Sequence, residues 1–219
     1  MGQDSAPPHV IFDPIAATGL ALAAGFCLVA PIVTALWWHR RSGAPLRALG
    51  IGALVFFVSQ VVLRLPWQIP LGRWVQGHSE WLVPFLFFSS LTAALFEETG
   101  RWLGYRHLLT SERSRRVAIM FGLGHGALDF WKIQLAALER ASAIAVHVGL
   151  VLVVLQVWKR GGLQWLVLAI LLHFSINAVA ALLVLKLQLS PSLGELVLVV
   201  MAAAVLFLGL RLARTERQS

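Results

Sequence analysis

Charge is scarce in this chain of 219 residues: Asp, Glu, Lys and Arg make up 13% of it, while 58% is hydrophobic. Soluble domains carry about 25% charged residues. A chain this short of them cannot cover the water-facing surface of a single core, which excludes an ordinary soluble globule and leaves lipid as the main solvent. A mean hydropathy of +0.79 agrees. Cysteine is nearly missing as well. The lone Cys27 can form no intrachain disulfide and sits in an apolar run, so it reads as a small packing residue and carries no information on redox compartment. Acid is the scarcer sign of charge, 10 residues against 18 basic, for a net charge of +8. Beside lipid, that excess reflects orientation and contact with anionic headgroups, so membrane lipid and not nucleic acid is the expected partner. The first residues, MGQDSAPPHVIFDP, lack the basic stretch of a signal peptide, and the N-terminus is expected to be retained. The C-terminal RTERQS is no prenylation box, and Ala6 stands where myristoylation needs Ser or Thr. Anchoring is expected to come from spanning helices.

Long apolar runs are what the chain has in quantity. A hydrocarbon core about 30 Å thick needs about 20 apolar residues per helix. Stretches near Pro14 to Trp38, Leu46 to Leu65, Trp81 to Tyr105, Val117 to Leu138, Ala141 to Trp158, Leu163 to Leu189 and Pro191 to Leu210 qualify. They are continuous and rich in Leu and Ala, without the period of two of barrel strands. The expected fold is all-α: a polytopic membrane helical bundle of about seven transmembrane helices, one integral-membrane domain over residues 1–219 with its motif-bearing core at about 81–189. The longest connection, Pro66 to Glu80, holds Trp67, Pro70, Gly72, Trp74 and Gly77 and reads as an outer interfacial loop.

Basic residues set the orientation. Arg40, Arg41, Arg47, Arg106, Arg113, Arg115, Arg116, Lys159, Arg160, Arg211, Arg214 and Arg217 fall on one side; Arg64, Arg73, Lys132, Arg140 and Lys186 fall on the other. The positive-inside rule makes the first side cytoplasmic, with the N-terminus outside, in a cell inner or plasma membrane. Trp37, Trp38, Trp158 and Trp165 flank the cytoplasmic ends, and Trp67, Trp74, Trp81 and Trp131 the outer ones, as interfacial belts do.

Charge at membrane depth costs about 2.5 to 3.5 kcal/mol per residue on insertion scales and is by default paired or functional. The third span has Glu97, Glu98 and Arg101, the fourth His125 and Asp129, the fifth His147, and the sixth His173 and Asn177. Glu97/Arg101, His125/Asp129 and His173/Asn177 are i, i+4 pairs, each on one helical face. At about 1.5 Å per residue, Glu97 and His125 lie ~13.5 Å from the cytoplasmic ends of their spans, and His147 and His173 ~18 to 20 Å. Four helices of alternating direction thus place polar groups in one layer. Any one of these residues alone is better read as an ion pair, Arg101 with Glu97 or Glu98, or as an interhelical hydrogen bond. The set reads as a site. One carboxylate with three imidazoles, Glu97, His125, His147 and His173, suits a borderline metal such as zinc, and a second carboxylate is left to act as base.

The motifs EETGR (97–101), FGLGHGALD (121–129), HVGLV (147–151) preceded by Glu139 and Arg140, and HFSIN (173–177) together resemble the YhfC-like family of intramembrane metalloproteases, within the larger group that contains CAAX-processing and PrsW proteases. The resemblance implies an endopeptidase acting on a membrane-associated peptide or protein, with Glu97 activating water together with His125 and Glu98 beside it. His173 and Asn177 match an HxxxN element that holds the site and stabilises the oxyanion. His147 matches a solitary histidine, an additional ligand, and Arg101 matches the basic end of the first motif, which orients the carboxylates. The chain departs from the family's usual HxxxE in having Asp129. Its side chain is one methylene shorter, and we expect it to orient a ligand rather than be one.

Other classes fit parts of the pattern. A proton- or metal-coupled transporter would use the same carboxylates and histidines, and would show flux without a cleaved product. A non-catalytic metal-binding protein would show neither. A haem protein would absorb visible light through two axial histidines. A retinal protein is disfavoured, because the last span has no lysine.

Overall fold

A computed structural model of the chain describes residues 14–127, 136–183, 187 and 190–214, and all regular structure among them is helical. The helices are α1 (Pro14–Ser42), α2 (Leu46–Phe56), α3 (Leu65–Gln76), α4 (Leu82–Leu103), α5 (Arg115–Ala127), α6 (Ala136–Lys159), α7 (Gln164–Ala181) and α8 (Pro191–Leu212). A π-helical segment, Phe57–Arg64, joins α2 to α3, and a second, Gly104–Leu108, extends α4. Helix is the expected answer for apolar runs in lipid, where each backbone N–H and C=O must be satisfied within its own segment. Among the described residues, five stretches are long and apolar enough to cross a membrane: Leu46–Gln76, Ser79–Leu108, Ala141–Lys159, Gln164–Ala181 and Leu193–Leu212. Leu, Val, Phe and Trp side chains cover their outer faces, as at Leu54, Phe87, Leu171 and Val200. The chain is therefore an integral membrane protein.

The segment read from sequence as an outer loop, Pro66 to Glu80, is instead helical over Leu65–Gln76, with a 3-10 turn at Ser79–Trp81. Two prolines four residues apart would break a helix in water. Within lipid a shifted hydrogen-bond register costs less than open backbone. The π-helical turns make that shift just before Pro66, which then falls in the first turn of α3, where its missing donor is harmless. Trp67 Nε1 adds a bond to the Leu63 carbonyl at 2.9 Å.

α6 is apolar around its whole circumference and lies at the centre, every residue from Val146 to Gln156 being buried. It packs against α5, α7 and α8, while α5 packs against α2 and α4 against α7. Glycine sets the closest approaches. A Cβ on Gly124 would run into the Leu49 backbone of α2, and one on Gly122 would come within 2.8 Å of Val148 Cα on α6. Without side chains at these positions α5 fits between its neighbours.

The basic residues gather at one end. Trp38 Nε1 donates to the Arg116 carbonyl (2.9 Å), Arg47 pairs with Glu112 (2.7 Å), and Arg160 caps the Leu212 carbonyl (3.1 Å). Arg106 and Arg113 lie over the rings of Trp102 and Trp158 at 5.0 and 4.8 Å. This is hereafter the basic end. Arg64, counted from sequence among the outer flanking charges, is instead buried within the helical segment.

Candidate functional site

Three residues of α4 face inward together. Glu97 and Glu98 precede Arg101 by four and three positions, so the guanidinium folds back over both carboxylates. Arg101 Nη2 donates to Glu97 Oε2 at 3.1 Å, and Nη1 donates to Glu98 Oε1. All three side chains are buried. Pairing is what makes this tolerable, since an isolated charge out of water carries a penalty of several kcal/mol.

The histidines arrive from three other helices. His125 sits near the end of α5, where Gly122 and Gly124 bring the backbone close to α6 and α2, and its Nε2 lies 3.0 Å from Glu97 Oε2. His147 of α6 places Nδ1 at 3.8 Å from the same oxygen and at 2.6 Å from Arg101 Nη2. His173 of α7 places Nδ1 at 2.6 Å from Glu98 Oε1 and Nε2 at 4.0 Å from Glu97 Oε2. One carboxylate oxygen is thus the hub for nitrogens of four residues. Phe56 closes the site edge-on against His125 (5.2 Å between ring centroids) and His147 (6.5 Å).

Hydrogen-bond chemistry fixes a nitrogen on each ring: a carboxylate only accepts, so His125 Nε2 carries the proton toward Glu97. A guanidinium only donates, so His147 Nδ1 must accept and carries a lone pair. A carboxylate only accepts, so His173 Nδ1 carries the proton toward Glu98 and, in the neutral ring, Nε2 turns its lone pair toward Glu97. An imidazole whose N–H is held by a carboxylate while its other nitrogen faces a centre is the arrangement that orients metal-binding histidines.

One donor atom each from Glu97, His125 and His147 lies within 4.8 Å of the others, a group able to hold a metal ion. Glu98 Oε2 and His125 Nδ1 are buried with no hydrogen-bond partner, so polar capacity remains at the centre. A carboxylate and two imidazoles suit a borderline divalent metal, and the residues present fit one.

Of the residues singled out from sequence, the structure brings together Glu97, Glu98, Arg101, His125, His147 and His173. Asn177 is one turn further along α7, half-buried, and takes no part in the hydrogen bonds just described. Asp129 lies outside the described residues. Sequence reasoning missed Phe56, Gln60 and Arg64 beside this centre. Gln60 and Arg64 share the i, i+4 spacing of the motif pairs, a signal obscured by Pro66 and Trp67, which look like the end of a span.

The model of a family described as YhfC intramembrane metalloprotease matches residues 26–133 and 127–198, stretches that include every residue of the centre. A protein of Bacillus subtilis (strain 168), described as "Uncharacterized membrane protein YhfC", is 26% identical over 217 residues, covering 74% of this chain and 83% of that protein. No solved structure matches.

Proposed function

Since the chain belongs to the YhfC intramembrane metalloprotease family, we propose that it hydrolyses a peptide bond of a membrane-associated peptide or protein at the Glu97 centre. The observation that carries this reading is the convergence of His125, His147, His173 and Arg101 nitrogens on Glu97 Oε2, all within 4.0 Å. Glu97 takes the proton of the attacking water and returns it to the leaving amine, as a general base and then a general acid. His125 holds that carboxylate in place. Arg101 pairs with Glu98 and Glu97 and holds them side by side, Glu98 fixes His173 through its Nδ1–H, and Asn177, one turn further along α7, would donate to a carbonyl oxygen that gains charge. His125 and His147, with His173 as a further ligand and Glu97 through the carboxylate oxygen that does not take the proton, would hold the metal, zinc by the chemistry of these donors. Such an ion, when bound, lowers the pKa of its water toward about 7 and polarises a carbonyl. Asp129, four residues after His125, orients it. The CAAX-processing proteases are the wider group we expect the activity to resemble.

The finer topology belongs to the same proposal: seven spans in a cell inner or plasma membrane, N-terminus outside, C-terminus cytoplasmic, with cleavage in the cytoplasmic half of the bilayer. The test is a comparison of membrane proteomes from cells making the wild-type protein or Glu97→Gln. Peptide termini present only with the wild type support hydrolysis; identical sets of termini, with ion or proton flux in vesicles, would replace it by transport.

A further inference from the structure

A hydrolase inside a bilayer consumes one water per bond cleaved, and that water must cross apolar material to reach Glu97. On the side toward the basic end the way is closed. Tyr105 follows Glu97 on that side, Met120 and Phe121 precede His125, and Leu150 to Leu155 follow His147, all fully buried. The one amide in this plug, Gln156, is bonded to Leu152 O (3.1 Å) and Arg160 Nε (3.0 Å). The Tyr105 ring is boxed in by Phe121 and Trp158, at 5.3 and 5.4 Å, and its hydroxyl is a single buried polar atom without a hydrogen-bond partner, with no polar neighbour among the described residues of the plug to continue a line from it.

The opposite side differs in kind. Gln60, Arg64 and Gln68 form one i, i+4 stripe running from the π-helical segment into α3, and the stripe faces α4. Gln68 Nε2 donates to Ser89 Oγ. Arg64 Nη2 donates to Ser89 O and Oγ (2.9 and 3.1 Å), and its Nη1 to Gln60 Oε1 (2.7 Å). Gln60 Nε2 reaches Ala93 O at 3.4 Å, one helical turn from Glu97. Burial deepens along the line, from half-buried Gln68 and Ser89 to buried Arg64 and Gln60. The ladder spans ~12 Å along α4 from Ser89 to Glu97 at the usual helical rise.

Two features show that protein groups do not complete this ladder. Arg64 Nε and Gln68 Oε1, a donor and an acceptor, are buried without a hydrogen-bond partner. Arg64 is also a buried cation whose hydrogen bonds go only to neutral groups, with no carboxylate at ion-pair distance among the described residues. Buried polar atoms of this kind are commonly satisfied by water, and charged residues within membrane bundles commonly face water-filled cavities and mark pathways.

We propose that the Gln68–Ser89–Arg64–Gln60 ladder is a hydrated route by which water reaches Glu97 from the face opposite the basic end. The use of that water rests on the hydrolytic reading; the hydration itself does not, and it is measured separately. Cys27 is the only cysteine, so Cys27→Ser gives a blank background for single cysteines probed with a charged, membrane-impermeant methanethiosulfonate in sealed vesicles. Ser89→Cys and Gln60→Cys report on the ladder, Ala118→Cys on the plug, and Leu91→Cys on a lipid-facing position of α4. Exposed Ser79→Cys and Ser111→Cys mark the side opposite the basic end and the basic end itself. The reagent needs hydrated thiolate, so the ladder cysteines should react at least ~10-fold faster than those at 118 and 91. They should also react from the side that labels Ser79→Cys. Gln60→Cys keeps the test open should Ser89→Cys fail to fold. Ladder cysteines as slow as Leu91→Cys, or labelled from the side of Ser111→Cys, overturn the proposal. Fast labelling in a protein whose Glu97→Gln variant yields the same cleavage products would instead leave the route standing and remove the hydrolase.

Discussion

At the scale of residues, the account turns on one carboxylate oxygen. Glu97→Gln keeps the volume and much of the hydrogen bonding but removes the base, so cleavage should slow by about 10²-fold or more while the protein stays folded. His125→Ala or His147→Ala removes a donor of the metal group. Zinc affinity, read by competition with a chromophoric chelator on the purified protein, should fall by more than the ~10- to 100-fold expected of a group that only orients a ligand. Asp129→Asn should stay within that milder range. Arg101→Met leaves two carboxylates buried without their cation, a loss of about 3 to 5 kcal/mol for a broken buried pair. Adding Glu98→Gln should recover part of it, so the two changes should be non-additive in thermal or denaturant unfolding. Glu97, Glu98, Arg101 and the three histidines were legible in the sequence because each is costly at membrane depth and their depths agree. Arg64 and Gln60 were not. A charge next to Pro66 and Trp67 has the look of an interfacial flank, and only the three-dimensional continuation of the helix past the prolines shows it to be inside.

At the scale of elements, spacing and hydropathy identified where helices run but not how they are interrupted. α6 was expected as an ordinary span; its central place follows from packing on all sides, which hydropathy alone cannot distinguish from a lipid-facing surface. The helix through Pro66 and Pro70 was read as a loop, because proline statistics describe chains in water and not segments that must keep their backbone bonded in lipid. The structure assigns Gly122 and Gly124 to α5's contacts with α6 and α2. Gly124→Ala should therefore cost at least the ~1 to 3 kcal/mol of ordinary overpacking, since its Cβ meets backbone and not a movable side chain. The loss should appear in thermal unfolding, whereas Gly50→Ala on α2, with open space around its Cβ, should be silent or mildly stabilising.

At the scale of the whole molecule, the basic end is one connected surface, and it makes the topology testable. A reporter fused after Ser219 should read as cytoplasmic, and one active only outside the membrane would invert the orientation. The same asymmetry separates a close-packed, mostly apolar half, filled by Tyr105, Phe121 and the buried run of α6, from a half lined by Gln, Ser and Arg, with the Glu97 centre at their boundary. That placement suits a reaction that needs water at depth but must not leak. The central claim is that water is added across a peptide bond at Glu97. The measurement closest to it is incubation of membranes containing the protein in ¹⁸O-labelled water, followed by mass spectrometry of newly formed C-terminal carboxylates. The account expects ¹⁸O-labelled termini with the wild type and their loss with Glu97→Gln. Wild-type membranes with no labelled termini beyond those of Glu97→Gln would contradict it.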